Sequence, residues 1–279
     1  MSLDPKSGNS SVIGASSAAG SVSPIIDFTS FIISGILAIS PLDFSFDPRA
    51  QKITQALVKI LHHAGIKYAV LGNEESCTGD PARRSGNEFI FQMMALQNIE
   101  VLNMYKVEKI VTACPHCFNT LKNEYPELGG NYTVVHHTQL IQELIDEGKI
   151  TIEDGAFQGK KITYHDSCYL GRVNDIYEAP RKILNKLDGS LQEPRRSRKN
   201  GFCCGAGGAQ VFKEEEKSKT DKKVNHERVA ELLETDPDII AVNCPFCTIM
   251  MNDGLKSEGK EEDVMIYDIS ELIVQANKW

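Results

Sequence analysis

Short apolar runs alternate with longer segments in which apolar side chains recur every three or four residues, which predicts alternating strands and helices along residues 35–279. The first half of this region predicts strands at 68–71, 109–113 and 132–135 and helices near 49–63, 86–99, 115–123 and 138–147. The second half predicts strands at 162–165, 239–242 and 264–267 and helices near 175–187, 221–235, 246–255 and 269–277. This alternation is typical of parallel sheets whose strands are joined by crossover helices.

The two halves of the chain resemble each other when they are offset by 126 residues. Some positions then carry identical residues and others do not: Cys203 aligns with Cys77, Gly205 with Gly79, Cys204 with Thr78, and Cys168 with Leu42. We therefore predict an α/β protein of two Rossmann-like lobes with parallel sheets, related by internal duplication. The first, degenerate repeat is expected at 35–150 and the second, complete repeat at 155–279.

Residues 1–34 do not share the alternating pattern. Residues 2–24 are rich in Ser, Gly and Ala and offer little apolar surface, so we predict a disordered or atypical leader. The apolar stretch that follows has an uncharged part of 15 residues, 28–42, which is shorter than a membrane-spanning helix of about 18 residues. Its alignment with the strand before Cys168 predicts a buried strand at 35–42, and the chain is not expected to be transmembrane.

Composition narrows the functional classes. The 279 residues carry a net charge of −8, and this negative field disfavours binding to nucleic acid or to an anionic membrane surface. Eight cysteines in a chain of this length without a secretory signal indicate a reducing, cytoplasmic compartment. The sequence contains no G-x-G-x-x-G or Walker motif, so it does not predict nicotinamide, flavin or ATP binding.

All eight cysteines fall into two groups. The first repeat contributes Cys77, Cys114 and Cys117, and the second contributes Cys168, Cys203, Cys204, Cys244 and Cys247. Thiolates are soft ligands that select zinc, copper(I) and iron–sulfur clusters. Both groups follow predicted parallel strands, and open α/β sheets bind ligands at the carboxyl ends of their strands.

The second group points to a cluster larger than a single ion. Five thiols are one more than a tetrahedral zinc site or an ordinary four-iron cube requires. The adjacent thiols of Cys203 and Cys204 can reach different irons of a larger cluster. We expect Gly205, Gly207 and Gly208 to let the backbone approach such a cluster and donate N–H groups to its sulfides.

The pattern C-x34-CC-G-x38-C-P-x-C, with His-Asp-Ser-Cys-Tyr-Leu-Gly-Arg around Cys168, resembles the cysteine-rich CCG domain. That domain occurs in the cysteine-rich subunit of heterodisulfide reductase, the iron–sulfur subunit of glycolate oxidase and lactate-utilisation protein A. In the heterodisulfide reductases each five-cysteine set binds a non-cubane [4Fe-4S] cluster that reduces a disulfide. The resemblance covers roughly residues 35–279 and implies that the five second-repeat cysteines ligate such a cluster here.

The first repeat departs from this pattern at Leu42 and Thr78, which stand where the family has cysteines. Three thiolates are compatible with a cubane cluster that has one open iron, or with zinc and a fourth ligand. An empty, vestigial site is the third alternative. The candidate fourth ligands are His116, His136 and His137.

Three residues near Cys168 are candidates for a catalytic role. His165 and Asp166 could exchange protons during disulfide chemistry, because an imidazole titrates near neutrality, or they could cap the turn after the strand. Arg172 could offset the negative charge of a thiolate-rich cluster, or it could belong to a surface ion pair.

The resemblance implies an iron–sulfur oxidoreductase subunit that passes electrons between a redox partner and a disulfide, a quinone or an organic-acid dehydrogenase pathway. The expected partners are a ferredoxin-like or membrane-bound iron–sulfur subunit and a flavin dehydrogenase, which would also bring a cytoplasmic chain to the inner membrane. The alternatives are a zinc-stabilised adaptor without turnover and a thioredoxin-type dithiol formed by Cys114 and Cys117.

Overall fold

The computed structural model describes residues 37–39, 48–213 and 223–279, which form two lobes, each built on a four-stranded parallel sheet. The predicted leader at 1–34 and the predicted mismatch at Leu42 lie outside the described residues. The predicted fold class, two duplicated α/β lobes with parallel sheets, is confirmed. The domain boundaries at 150 and 155 stay predictions.

In the first lobe the strands and helices follow one another as β1 (Leu37–Ile39), α1 (Pro48–His63), β2 (Tyr68–Val70), α2 (Asp80–Arg84), α3 (Glu88–Met104), β3 (Lys109–Thr112), α4 (Pro115–Asn119), β4 (Thr133–His136) and α5 (His137–Asp146). The strands are ordered β2-β1-β3-β4 across the sheet. Helix α1 forms because its apolar residues recur on one face, where Ile53, Leu57, Ile60 and Leu61 are all buried.

In the second lobe the elements are β5 (Lys161–Tyr164), α6 (Glu178–Leu184), β6 (Ser190–Gln192), α7 (Val224–Leu233), β7 (Ile239–Val242), α8 (Pro245–Ser257), β8 (Met265–Asp268) and α9 (Ile269–Asn277). The strand order, β6-β5-β7-β8, repeats that of the first lobe. Strand β7 is central and buried along its whole length, which explains why its sequence is a continuous apolar run rather than an alternating one.

Strand register corrects one detail of the predicted alignment. Leu37 pairs with Lys109 and Ile162 pairs with Ile239, and these two partners each precede a C-x-x-C pair by the same number of residues. Leu37 is therefore the counterpart of Ile162. The offset between the repeats at this strand is one residue smaller than the cysteine spacing predicts.

The lobes pack through equivalent helices. Helix α1 packs against α9, and α5 packs against α6, so each lobe contributes the helix that follows its first strand and the helix that follows its last. One buried apolar cluster runs through this interface and includes Leu61, Ile141, Ile183 and Ile273. Among the described residues, no helix is long and apolar enough to span a membrane.

Candidate metal centre

Cys114, Cys168 and Cys244 lie just after the carboxyl ends of parallel strands, as predicted. Cys114 follows β3 and is the N-cap residue of α4, and Cys244 follows β7 and is the N-cap residue of α8. A proline occupies the first turn of each helix, where its missing N–H is of no consequence. The positive end of the helix dipole favours the thiolate form of a cysteine at this position.

The five thiols of the second repeat form a continuous chain of contacts. Cys168 hydrogen-bonds with Cys203, Cys203 with Cys204, Cys204 with Cys247, and Cys247 with Cys244. These residues come from three separate parts of the lobe: the turn after β5, the loop before α7, and the start of α8. The sequence-predicted ligand set is thus brought together in one place.

Burial and mutual hydrogen bonding shift the pKa values of the second-repeat thiols in opposite directions. The pKa of Cys203 is lowered by hydrogen bonds from Cys168 and Cys204, while the pKa of Cys168 is raised, first by its hydrogen bond with Cys203 and then by burial. Hydrogen bonding with Cys203 raises the pKa of Cys204, and burial raises that of Cys244. One thiolate therefore disfavours ionisation of the next, and a bound cation would favour the thiolate form of the set.

Buried polar groups lie near the strand ends that carry these cysteines. The hydroxyl of Ser167 lies 3.5 Å from Cys247 Sγ and hydrogen-bonds Asn243 Oδ1 at 2.5 Å. Within the described part of the chain, three buried donors or ring nitrogens near this strand edge have no hydrogen-bond partner: His165 Nε2, Arg228 Nη2 and Asn243 Nδ2. Buried polar atoms are normally paired, so these atoms are suited to a polyanionic group.

The three glycines predicted to line the cluster differ in whether their position requires glycine. Gly205 has a φ of +94°, and its N–H donates to Cys203 Sγ at 3.3 Å. A Cβ at this position would lie 3.2 Å from Val224 Cβ, so both conformation and space require glycine. Gly207 and Gly208 lie in the turn that follows, and a Cβ added at either would meet no atom within 4 Å.

The three predicted catalytic residues occupy different environments. His165 is fully buried, and its pKa is lowered to about 3, first by burial and then by the charge of Arg228. Asp166 accepts two hydrogen bonds of 2.8 Å from Arg181 and one of 2.7 Å from the backbone N–H of Arg198, so it holds the loop that leads to Cys203. Arg172 is exposed. Their predicted roles in proton exchange and charge compensation stay predictions.

Sequence reasoning missed Arg228 and Glu231. Arg228 is fully buried on α7, donates from Nε to His165 Nδ1 at 3.0 Å, and pairs with Glu231 Oε2 at 3.0 Å. Its Nη1 also donates to the carbonyl of Arg196 at 3.0 Å, which ties α7 to the cysteine-bearing loop. Both residues lie in a polar helical segment, and nothing in their spacing distinguishes them from solvent-exposed charges.

The first repeat contains hydrogen bonds equivalent to those around the second-repeat thiols, but it has fewer thiols. Gly79, with a φ of +87°, donates its N–H to Cys77 Sγ at 3.5 Å, as Gly205 does to Cys203. Thr78 Oγ1 donates to Cys117 Sγ at 3.6 Å, at the place where Cys204 contacts Cys247 in the other lobe.

Each predicted fourth ligand of a first-repeat zinc site has one ring nitrogen engaged elsewhere, while His136 Nε2 and His137 Nδ1 have no hydrogen-bond partner among the described residues. His116 Nδ1 lies 2.9 Å from Asp80 Oδ2, His136 Nδ1 lies 2.8 Å from Thr138 Oγ1, and His137 Nε2 lies 3.0 Å from Asp268 Oδ1. Among residues 48–213 and 223–279, the one group of three metal-ligating side chains with ligand atoms within 4.8 Å is His165, Cys204 and Cys247. The first repeat therefore lacks a preformed zinc site in the part of the chain described.

The two cysteine groups are not separate. The thiol of Cys244 hydrogen-bonds with that of Cys114, which joins the second-repeat chain of sulfurs to the first repeat. The ring of His116 stacks on Tyr169, the residue after Cys168, with ring centroids 3.9 Å apart. Both contacts cross between the lobes. The sequence predicts two groups of cysteines, one in each repeat, and contains no sign of these contacts.

The donor set therefore fits a thiolate-ligated group with several metal ions. Its five sulfurs are soft ligands, and the orphaned donors around them match the acceptors that such a cluster presents. The family model of the cysteine-rich domain CCG matches residues 45–122 and 162–252, one segment in each repeat. The chain belongs to the CCG cysteine-rich domain family. The resemblance that the cysteine pattern indicates is thereby confirmed.

Curated relatives of this CCG chain are longer proteins. The chain is 44% identical over 236 residues to EtfAB:quinone oxidoreductase of Syntrophomonas wolfei, a match that covers 83% of the chain and 33% of that protein. It is 44% identical over 233 residues to the probable iron-sulfur-binding oxidoreductase FadF of Bacillus subtilis, covering 83% of the chain and 32% of that protein. It is 35% identical over 230 residues to a dihydromethanophenazine:CoB–CoM heterodisulfide reductase subunit of Methanosarcina barkeri, covering 79% of the chain and 54% of that protein. The chain thus spans between a third and about half of these relatives.

Proposed function

We propose that this chain is part of an iron–sulfur oxidoreductase and passes electrons through a [4Fe-4S] cluster of non-cubane form in its second repeat. The cluster would be held by Cys168, Cys203, Cys204, Cys244 and Cys247. The observation that carries this proposal is the continuous contact among these five thiols. A zinc ion needs four of them and leaves the fifth without a role.

Bound there, the cluster would accept and release electrons. The chain supplies the surroundings that govern this exchange: burial of Cys204, Cys244 and Cys247, an N–H donated by Gly205 and the charge of Arg228. Hydrogen bonds to sulfur and exclusion of water are the factors that set the potentials of such clusters. Asp166 remains our candidate for proton exchange and Arg172 for compensating charge at the rim, whereas the contact of His165 with Arg228 favours a fixed proton on its imidazole.

The names of the relatives favour a quinone or a disulfide as the other redox partner. One relative is named a quinone oxidoreductase and another a heterodisulfide reductase subunit. An organic-acid dehydrogenase pathway is the third class of redox partner that we predict. Because the chain spans only part of these proteins, we propose that a ferredoxin-like or membrane-bound iron–sulfur unit, and a flavin dehydrogenase, exchange electrons with it. This arrangement would place it in the cytoplasm, next to the inner membrane through its partners.

The decisive measurement is the iron, sulfide and zinc content of the chain purified without oxygen, combined with EPR. Roughly four irons and four sulfides per chain, with an EPR signal on oxidation or reduction, would support the proposal. A total near eight irons would add a cluster at Cys77, Cys114 and Cys117. Stoichiometric zinc without iron, unchanged after attempted cluster reconstitution, would leave a zinc-stabilised adaptor instead. Absence of any metal, with a reversible Cys114–Cys117 disulfide, would indicate a dithiol oxidoreductase.

A pair of variants separates the metal role from folding. Cys204→Ser should remove the visible chromophore and the EPR signal while circular dichroism stays unchanged. Cys77→Ser, in the first repeat, should keep the second-repeat signal. Global unfolding of a colourless Cys204→Ser chain would instead point to structural zinc, because the free energy of binding structural zinc is also free energy of folding.

A further inference from the structure

Three candidate ligand atoms lie together at the second-repeat centre. A ring nitrogen of His165 and the Sγ atoms of Cys204 and Cys247 are all within 4.8 Å of one another, and all three residues are buried. Distance alone would make His165 a metal ligand beside two thiolates. The hydrogen bonds of its imidazole indicate a different role.

The contact with Arg228 determines which ring nitrogen carries the proton. Arg228 Nε lies 3.0 Å from His165 Nδ1, and a guanidinium can only donate. His165 Nδ1 must therefore be the acceptor, so it carries a lone pair and no proton. The proton of the imidazole is then on Nε2, and a doubly protonated ring is excluded by the same contact.

Arg228 is held firmly in this orientation. It is fully buried, and its Nη1 donates at 3.0 Å both to Glu231 Oε2 and to the carbonyl oxygen of Arg196. Glu231 also accepts from Arg196 Nε at 2.8 Å and from the Arg196 backbone N–H at 2.7 Å. To ligate a metal through Nε2, His165 would have to move its proton to Nδ1. Two donors, His165 Nδ1–H and Arg228 Nε–H, would then face each other in a buried site.

His165 Nε2 is buried and forms no hydrogen bond with any described residue. Building on the proposed function, we infer that His165 holds a fixed N–H at Nε2 that donates to a sulfide of the bound cluster, that it is not a metal ligand, and that Arg228 sets its tautomer. His165 is thus a positioning residue whose effect is electrostatic. A donor to sulfur stabilises the more negative, reduced state of a cluster, so it raises the reduction potential.

Two substitutions at one position test this inference. His165→Gln retains a side-chain N–H group, whereas His165→Leu removes it. We expect both variants to keep the full iron content, the reduction potential to fall in His165→Leu, and the potential of His165→Gln to stay near that of the unmodified chain. His226→Leu, on the same helix as Arg228 but outside this network, is the matched control and should leave the potential unchanged.

Spectroscopy of the unmodified chain provides a test without mutation. With ¹⁵N-labelled histidine, pulsed EPR should show a weak nitrogen coupling and an exchangeable proton coupling, as a hydrogen bond to sulfur produces. A strong nitrogen coupling typical of direct ligation, with iron lost in both variants at position 165, would overturn the inference. Full iron and an unchanged potential in His165→Leu would also overturn it, and would leave His165 with a packing role.

Failure of the proposed function gives a different result. If the unmodified chain contains zinc and no iron, the proposed function fails, and the tautomer is then read in the same chain by long-range ¹H–¹⁵N NMR. A proton on Nε2 of His165 would uphold the tautomer that Arg228 sets, independently of the metal that is bound. Zinc bound at Nε2, with the proton on Nδ1, would refute it.

Discussion

The thiols of Cys114 and Cys244 hydrogen-bond with each other across the boundary between the two lobes. Both side chains are buried, and each cysteine is the N-cap residue of the helix that carries its C-x-x-C pair. Equivalent cysteines of the two repeats therefore meet. A change in a first-repeat thiol can reach the second-repeat centre through one contact between sulfurs.

This contact predicts that two first-repeat cysteines are not interchangeable. Cys114→Ala should keep the second-repeat metal, alter its EPR spectrum, and lower the free energy of unfolding by about 1 kcal/mol through a small cavity. Cys77→Ala removes a thiol from the same group but not from the contact, since Cys77 is exposed, and it should leave that spectrum unchanged. Identical spectra for the two variants would contradict the role of the Cys114–Cys244 contact.

Restoring the second cysteine of the first repeat should create a metal site there. Thr78 Oγ1 lies 3.6 Å from Cys117 Sγ, so Thr78→Cys would place a fourth thiol next to Cys117 and Cys77. We expect the metal content per chain to rise after reconstitution, because the added thiolate restores the adjacent pair found in the second repeat and supplies a further soft ligand. Ser76→Cys also produces adjacent cysteines, but Ser76 contacts Asn98 instead, so metal content should not rise. Equal metal content in both variants would refute the prediction.

Asp80 should contribute stability that disappears in acid. Burial alone would raise the pKa of its carboxyl, but hydrogen bonds and charges from His116 and Arg84 outweigh burial and lower the pKa below 3.8. A lowered pKa in the folded state adds stability that is complete above about pH 4 and is lost as the pH falls through the folded value. Asp80→Asn should therefore reduce the free energy of unfolding at pH 7 by about 1–3 kcal/mol.

The difference between Asp80→Asn and the unmodified chain should shrink as the pH falls below 4, as measured by urea unfolding. Asp146→Asn, an exposed acidic residue on α5, is the control and should have little effect at any pH. A constant difference from pH 7 down to the acid limit would show that the Asp80 charge is not responsible.

Arg181 and Arg172 should differ sharply, although both are arginines close to the cysteine loop. Arg181→Leu leaves the buried carboxylate of Asp166 without its bidentate partner, and it should lower the free energy of unfolding by about 3 kcal/mol. Arg172→Leu changes an exposed residue and should alter it by less than about 0.5 kcal/mol.

Chemical unfolding measures both effects. The double variant Asp166→Asn, Arg181→Leu should recover part of the loss, because it removes the unpaired charge as well as its partner. If Arg181→Leu alone were as stable as Arg172→Leu, the Asp166–Arg181 pair would have no role in holding the loop that leads to Cys203.

Local sequence determined most of the secondary structure. Strand β7 lies where its apolar run predicts, and α1 begins one residue before the predicted start. Both are predictable because a long segment with helical periodicity, or a continuous run of four apolar residues, favours one type of secondary structure. The short elements were missed. Strand β6 has three residues at the edge of its sheet, and α2 has five, so neither is long enough to show a periodicity.

The cysteine spacing by itself indicated the family, which the family model confirms, and it predicts a five-thiol ligand set that stays a prediction. A parallel α/β repeat brings the carboxyl ends of its strands to one edge, where such a set can assemble. Only the tertiary structure decided how the side chains around the thiols are used. His137 finds its partner Asp268, and Cys114 finds Cys244, in the opposite lobe. Arg228 is buried on α7, which packs against α8, and its side chain reaches His165, the residue after β5. Contacts between residues so far apart in the chain depend on how the helices of both lobes pack together. A local sequence pattern does not determine this packing.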